Sequence, residues 1–223
     1  MTYISRISVA QEMERTGLVP LFYHADTAVV IEVVKALYRG GARLFEFTHR
    51  GAHAADVFKE LAQMATEELP GMYLGAGSVT DAATASAYMN MGASFIVTPV
   101  LREDIALTCN RRKVLYAPGC GSLTEIARAE ELGCDIVKLF PASVYGPEFI
   151  KAVAGPQPWT RIMPTGGVTT DPDDLKQWLA AGAVCVGLGS QLITKDLLQS
   201  KDYDLLARKT SEVLSVISNV RQS

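Results

Sequence analysis

The chain lacks any run of basic residues longer than Arg111-Arg112-Lys113 and any stretch where basic and aromatic side chains interleave, and its formal net charge is -3. A nucleic-acid surface is therefore not expected. It has no CxxC pair: the four cysteines, Cys109, Cys120, Cys134 and Cys185, stand in or beside apolar segments. That pattern argues against a disulfide framework or a zinc site and for reduced, buried thiols. No run approaches the roughly 18 apolar residues of a membrane span. The opening stretch Met1-Thr2-Tyr3-Ile4-Ser5-Arg6 has no continuous apolar core. Neither a span nor a signal peptide is expected, which predicts a cytoplasmic protein with small-molecule partners. No linker, low-complexity segment or shift of composition divides the sequence. At 223 residues and 48% hydrophobic composition, a single domain over 1–223 with a large core is the reading.

What the chain has is a phrase repeated four times. Gly41-Ala42-Arg43-Leu44-Phe45-Glu46-Phe47, Gly92-Ala93-Ser94-Phe95-Ile96-Val97, Gly133-Cys134-Asp135-Ile136-Val137-Lys138 and Gly182-Ala183-Val184-Cys185-Val186-Gly187 each set a glycine and a small residue before a strand-like run. Helix-like stretches precede them at 28–38, 81–91, 124–132 and 172–181, so a helix end feeds a strand each time. Further strand-like runs lie at 18–22, 72–75, 114–117 and 161–163. Eight strands alternating with helices predict an α/β fold with a parallel sheet, a single (β/α)8 TIM barrel. An extra N-terminal helix is expected over 5–16 and a closing helix over 203–220. A doubly wound open sheet is the alternative, but no GxGxxG follows the first strand.

Two charges stand where apolar side chains belong. Lys138 lies within Ile136-Val137-Lys138-Leu139-Phe140-Pro141, a run that reads as a strand buried on both faces. Desolvation disfavours an ammonium and can bring a lysine from about 10.4 toward roughly 7–8, freeing the amine to form a Schiff base. A lysine snorkelling from the strand end, or paired with a carboxylate, is the alternative. Glu46 lies within Leu44-Phe45-Glu46-Phe47-Thr48, on the opposite parity from the two phenylalanines, so its carboxylate points where a core residue normally goes. Glu46 and Lys138 are either one buried ion pair or an acid-base group and a nucleophile sharing a site. Chemistry in barrels collects at the C-terminal strand ends, which favours the site.

Pro164-Thr165-Gly166-Gly167-Val168 and Gly187-Leu188-Gly189-Ser190 end the seventh and eighth strands, each expected to lead into a helix. Backbone N–H groups at such turns bind phosphate, and barrels commonly build that site after strands seven and eight. Arg50, just past the second strand, suits bidentate capture of a carboxylate. His49 and His53 are spaced i, i+4, but Arg50-Gly51 reads as a turn between them and no third ligand is evident, so no metal is expected.

With those residues in view, the chain from about Gly17 to Leu192 resembles the 2-keto-3-deoxy-6-phosphogluconate (KDPG) and 4-hydroxy-2-oxoglutarate (KHG) aldolases. The phrases that carry the resemblance are Phe45-Glu46-Phe47-Thr48-His49-Arg50, Gly75-Ala76-Gly77-Ser78-Val79, Val97-Thr98-Pro99, Ala117-Pro118-Gly119, Val137-Lys138-Leu139-Phe140-Pro141-Ala142, Pro164-Thr165-Gly166-Gly167-Val168 and Gly189-Ser190. The resemblance implies a Schiff-base lysine at Lys138 and proton transfer by Glu46. It further implies a carboxylate holder formed by Arg50 and Ser78, and substrate contacts from Pro99 and Phe140. Thr165, Gly166, Gly167, Gly189 and Ser190 would line the phosphate end. A homotrimer, a place in carbohydrate metabolism such as the Entner-Doudoroff pathway, and a reaction without metal or organic cofactor are implied in the same way.

The implied reaction cleaves KDPG or 4-hydroxy-2-oxoglutarate to pyruvate plus glyceraldehyde 3-phosphate or glyoxylate. Three departures from the family pattern, His49, Val100 and Cys120-Gly121, are expected to line or flank the mouth of the site and to bear on substrate preference. Phe140-Pro141-Ala142-Ser143 with Gly146-Pro147 also resembles the 2-keto-3-deoxy-6-phosphogalactonate aldolases. A phosphate-binding barrel isomerase or epimerase using Glu46 as base, and a sugar-phosphate binding protein without turnover, are the alternatives from other classes.

Overall fold

A computed structural model describes residues 4–222, so Met1, Thr2 and Tyr3 of the opening stretch lie outside the described residues. The first half of the chain forms α1 (Arg6–Thr16), β1 (Leu18–Phe22), α2 (Thr27–Arg39), β2 (Leu44–Thr48), α3 (Ala54–Glu68), β3 (Tyr73–Gly77), α4 (Ala82–Asn90), β4 (Phe95–Val97) and α5 (Glu103–Arg112). The second half forms β5 (Leu115–Ala117), β6 (Gly119–Cys120), α6 (Leu123–Glu131), β7 (Val137–Leu139), α7 (Ala142–Tyr145), α8 (Pro147–Ala154), β8 (Ile162–Pro164), α9 (Pro172–Ala180), β9 (Val186–Leu188), α10 (Lys195–Ser200) and α11 (Tyr203–Gln222).

The repeated glycine phrase works as a helix stop. Gly41, Gly92, Gly133 and Gly182 all have positive φ, a conformation that costs glycine little because it has no Cβ. Helix starts are fixed by side chains that accept a hydrogen bond from first-turn N–H groups: Asp26 for α2, Asp81 for α4, Ser122 for α6 and Asp171 for α9. Each such cap is worth about 1 kcal/mol. The expected N-terminal and closing helices are α1 and α11.

All strand pairs are parallel. A six-stranded sheet runs β5-β4-β3-β2-β1-β9 and a three-stranded one β6-β7-β8. The count exceeds the expected eight because Pro118, which has no N–H for a ladder bond, divides one run into β5 and β6. The other ends of the two sheets meet through two parallel bridges, Ile162 with Ala183 and Thr165 with Gly187. Strands β1 to β5 follow one another without the reversal of order that a doubly wound sheet requires.

The curled sheet separates two apolar clusters. Phe45, Phe47, Val137 and Leu139 pack outward with the helices, whereas Leu44, Ile136, Met163 and Cys185 pack inward with Val9 and Met13 of α1. Burying a side chain of this size contributes about 1.5–3 kcal/mol. The inward group sits at the N-terminal ends of the strands, so α1 seals that end with apolar contacts. Two residues further along β2 and β7 the same inward parity reaches Glu46 and Lys138.

Candidate active site

Glu46 and Lys138 meet inside the curled sheet. Lys138 Nζ lies 4.0 Å from Glu46 Oε1, with the two side chains 7% and 1% exposed. Neither carboxylate oxygen receives a hydrogen bond from a described residue. At 4 Å the Coulomb attraction is worth about 4 kcal/mol for an effective dielectric near 20, while desolvation costs several kcal/mol per ion. The pair therefore gains little as a structural ion pair, and its two open acceptor atoms suit proton transfer. Lys138 Nζ also sits over the Phe140 ring, 4.8 Å from its centroid, a cation–π contact that fixes the side chain's direction.

Glycines make the space. A Cβ on Gly77 would fall 1.9 Å from Glu46 Oε1, and one on Gly187 would fall 2.2 Å from Thr165 Oγ1. Both glycines face inward, and their missing side chains leave room for the polar groups of the neighbouring strands. Thr165 is buried, and its Oγ1 also has no hydrogen-bond partner among the described residues.

These groups line a cavity of about 520 Å³ at the C-terminal strand ends. Beside Glu46 and Lys138, every substrate-contact residue that the family resemblance implies lines it. Arg50 and Ser78 stand on the β2–β3 side, with Arg50 Nε 3.5 Å from Ser78 Oγ, the outer limit of a hydrogen bond. Pro99 follows β4, and Phe140 follows β7. Thr165, Gly166, Gly167, Gly189 and Ser190 complete the β8–β9 side. A larger cavity of about 620 Å³ lies at the opposite strand ends, among Leu69, Met72, Met89, Met91, Ser94 and Val114, and contains none of them.

Both glycine turns lead into helices through short connections. Thr169 and Thr170 separate the first turn from α9, which starts where Asp171 caps it and Pro172 presets φ. The second turn is followed by one helical turn, closed by Leu192 N and Ile193 N donating to Gly189 O, before Thr194 caps α10.

None of the three departures lines the cavity itself, although His49 stands between the lining residues Thr48 and Arg50 and Val100 follows the lining Pro99. His49 is only half-buried, and its Nδ1 lies 2.8 Å from the Tyr88 hydroxyl on α4; that tyrosine is pushed up to about 12 by burial. Cys120 is packed in the outer cluster, with its thiol pushed up to about 12 by burial. Val100 is 54% exposed. In each case helix-side packing or open surface, rather than the inner face of the sheet, receives the side chain. His53 starts α3 with Nδ1 3.4 Å from Asp56, away from His49. Among the described residues no group of three or more His, Cys, Asp and Glu is placed to hold a metal.

Sequence reasoning missed Lys195, Gln191 and Tyr23, which also line the cavity. Tyr23 follows an apolar strand and carried no charge signal. Lys195 and Gln191 belong to none of the motifs in the sequence. Gly77 and Gly187 were quoted in motifs, but periodicity does not reveal which side chain a glycine makes room for.

The family model described as KDPG and KHG aldolase matches residues 9–209. The 2-dehydro-3-deoxy-phosphogluconate aldolase of Pseudomonas aeruginosa is 33% identical over 207 residues, covering 92% of this chain and 91% of that protein. Among solved structures, the 4-hydroxy-2-oxoglutarate aldolase/2-deydro-3-deoxyphosphogluconate aldolase from TTHB1 aligns with a TM-score of 0.80 at 27% identity. It covers 93% of this chain and 98% of its own. A KDPG aldolase from Legionella pneumophila, with pyruvate captured as a covalent carbinolamine intermediate, aligns with a TM-score of 0.82 at 22% identity, over 92% of this chain and 97% of its own. At that identity the last likeness speaks for the fold.

Proposed function

Because the chain belongs to the KDPG and KHG aldolase family, we propose that it cleaves a 2-keto-3-deoxy sugar acid 6-phosphate (KDPG), 4-hydroxy-2-oxoglutarate, or both, with Lys138 as the Schiff-base nucleophile. The products are pyruvate and an aldehyde, glyceraldehyde 3-phosphate or glyoxylate. The observation that carries the assignment is the Glu46–Lys138 pair, buried at the C-terminal strand ends with its carboxylate acceptors open. The carbinolamine captured in the Legionella pneumophila enzyme shows that a protein of this fold holds pyruvate covalently.

The free amine of Lys138 adds to the C2 carbonyl, giving a carbinolamine that loses water to form the iminium ion. Breaking the C3–C4 bond sends its electron pair into the iminium and leaves an enamine, while the C4 hydroxyl gives up its proton and becomes the aldehyde. Glu46 is the base. Its 4.0 Å distance from Nζ exceeds a direct hydrogen bond, and a water relays the proton from the C4 hydroxyl to its open carboxylate oxygens. The proton then returns to C3, and hydrolysis of the pyruvate imine regenerates Lys138. The iminium is the electron sink, so the reaction is metal-independent and needs no organic cofactor.

Arg50 with Ser78 holds the carboxylate at the pyruvate end, and Pro99 and Phe140 pack against the substrate. The Thr165-Gly166-Gly167 and Gly189-Ser190 turns hold the far anion. We read the two sheets, joined across Pro118 and through the Thr165–Gly187 bridge, as one closed (β/α)8 barrel. A cytoplasmic homotrimer is the assembly the family resemblance implies.

Borohydride reduction in the presence of pyruvate, read by intact mass and peptide mapping, tests the nucleophile. A reduced three-carbon adduct on Lys138, absent from Lys138→Met together with cleavage, is the expected result. An adduct on Lys113 or Lys151, or no adduct with full activity, overturns the assignment.

A further inference from the structure

Lys195 is the one charged cavity residue to which the scheme above gives no role. It is exposed, begins α10, and lines the cavity on the segment that carries Gly187, Gly189 and Ser190. Among the described residues it makes no ion pair, like Lys59, Lys201 and Lys209 and unlike Lys35, Lys151 and Lys176, which pair with Glu68, Glu148 and Asp173. A cation in the first turn of a helix also meets the positive end of the backbone dipoles. Neither an ion pair nor the helix dipole accounts for its position.

The charges lining the cavity are Glu46, Arg50, Lys138 and Lys195. Glu46 faces Lys138, which leaves one cation on each side: Arg50 beyond β2 and Lys195 beyond β9. In the sheet β1 lies between those two strands, so their ends are about 10 Å apart at the usual strand spacing. Such an arrangement is complementary to a substrate with an anion at each end.

We propose that Lys195 is a specificity-determining residue that engages the anionic group at the far end of the substrate, phosphate or carboxylate. The proposal rests on the aldolase reading for the identity of the substrate. A lysine suits the task because its ammonium is a point charge on a flexible stem, able to meet either anion without a fixed bidentate geometry. The backbone turns at Gly166–Gly167 and Gly189–Ser190 would supply direction, and Lys195 the net charge.

The test compares wild type, Lys195→Met and Lys195→Arg on three keto acids: one with a 6-phosphate, one with a second carboxylate, and 2-keto-3-deoxygluconate, whose far end is uncharged. Lys195→Met is expected to lose about tenfold in kcat/KM on the charged substrates, the worth of a solvent-screened charge-assisted contact, and less than about twofold on the uncharged one. Lys195→Arg should keep most of the preference. Raising the salt should erode the wild-type advantage. A loss confined to the phosphorylated acid identifies phosphate as the anion read, and one confined to the dicarboxylate identifies carboxylate. Equal kcat/KM in wild type and Lys195→Met on both charged substrates, or an equal loss on all three, overturns the proposal. Titration with inorganic phosphate separates this from the aldolase reading. If wild type fails to trap pyruvate, the aldolase reading fails, yet weaker phosphate binding in Lys195→Met still supports Lys195 as an anion contact, and unchanged binding overturns it.

Discussion

The absent side chain of Gly77 is what gives Glu46 its place: a Cβ there would stand 1.9 Å from Oε1. Gly77→Ala should therefore push the carboxylate off its position above Lys138. Its kcat is expected to fall toward that of Glu46→Gln, which should lie roughly 10²–10⁴ below wild type, the usual worth of a positioned acid-base group. Borohydride trapping of pyruvate on Lys138 should survive in both variants at a reduced rate. Near-normal kcat in Glu46→Gln would leave the carboxylate as a structural partner of the lysine.

Exhaustive chelation is expected to leave kcat and KM unchanged, since the iminium of Lys138 supplies the electrophile that a metal otherwise provides. Loss of turnover restored by a divalent ion would overturn the metal-independent scheme.

The glycine turn after β8 has little slack. Gly167 has φ 107° and its Cβ would meet Ser143 at 2.4 Å, while Gly166 has φ 85° with Phe140 at 3.2 Å. Valine at either position should lower kcat/KM for the phosphorylated acid far more than for 2-keto-3-deoxygluconate, because remote binding energy is used at the reacting centre. Equal losses on both substrates would show that the turn positions the barrel mouth rather than an anion.

All four cysteines are free and buried, and burial pushes the thiols of Cys109, Cys120, Cys134 and Cys185 up to about 12. The nucleophilic thiolate is therefore scarce at neutral pH. A thiol reagent at pH 7 to 8 should find almost no reactive group in the native protein and four after denaturation. Rapid reaction in the native state would show that local opening exposes one of them.

The amino-acid sequence by itself determined the alternation of helix and strand, the glycines that stop the helices, and the inward parity of Glu46 and Lys138. These are local properties: period-2 alternation tells which residues share a face, and a charge on an apolar face is visible without knowing what it meets. Only the tertiary structure decided the rest. How the sheet curls sets which inward residues converge, so it brought Glu46 to 4.0 Å from Lys138 and gave Gly77 and Gly187 their purpose. It also sent the His49 side chain to Tyr88 and that of Cys120 into the helix-side core, so neither side chain lines the cavity. The sequence marks a strand over 114–117, and only the ladder shows a second short strand, Gly119–Cys120, beyond Pro118 and its missing N–H. Lys195 joined the cavity through the loop after β9, and no periodicity in the chain marks a lone surface lysine as facing inward to a site. Convergence of distant segments is a property of the closed backbone, and a one-dimensional pattern does not contain it.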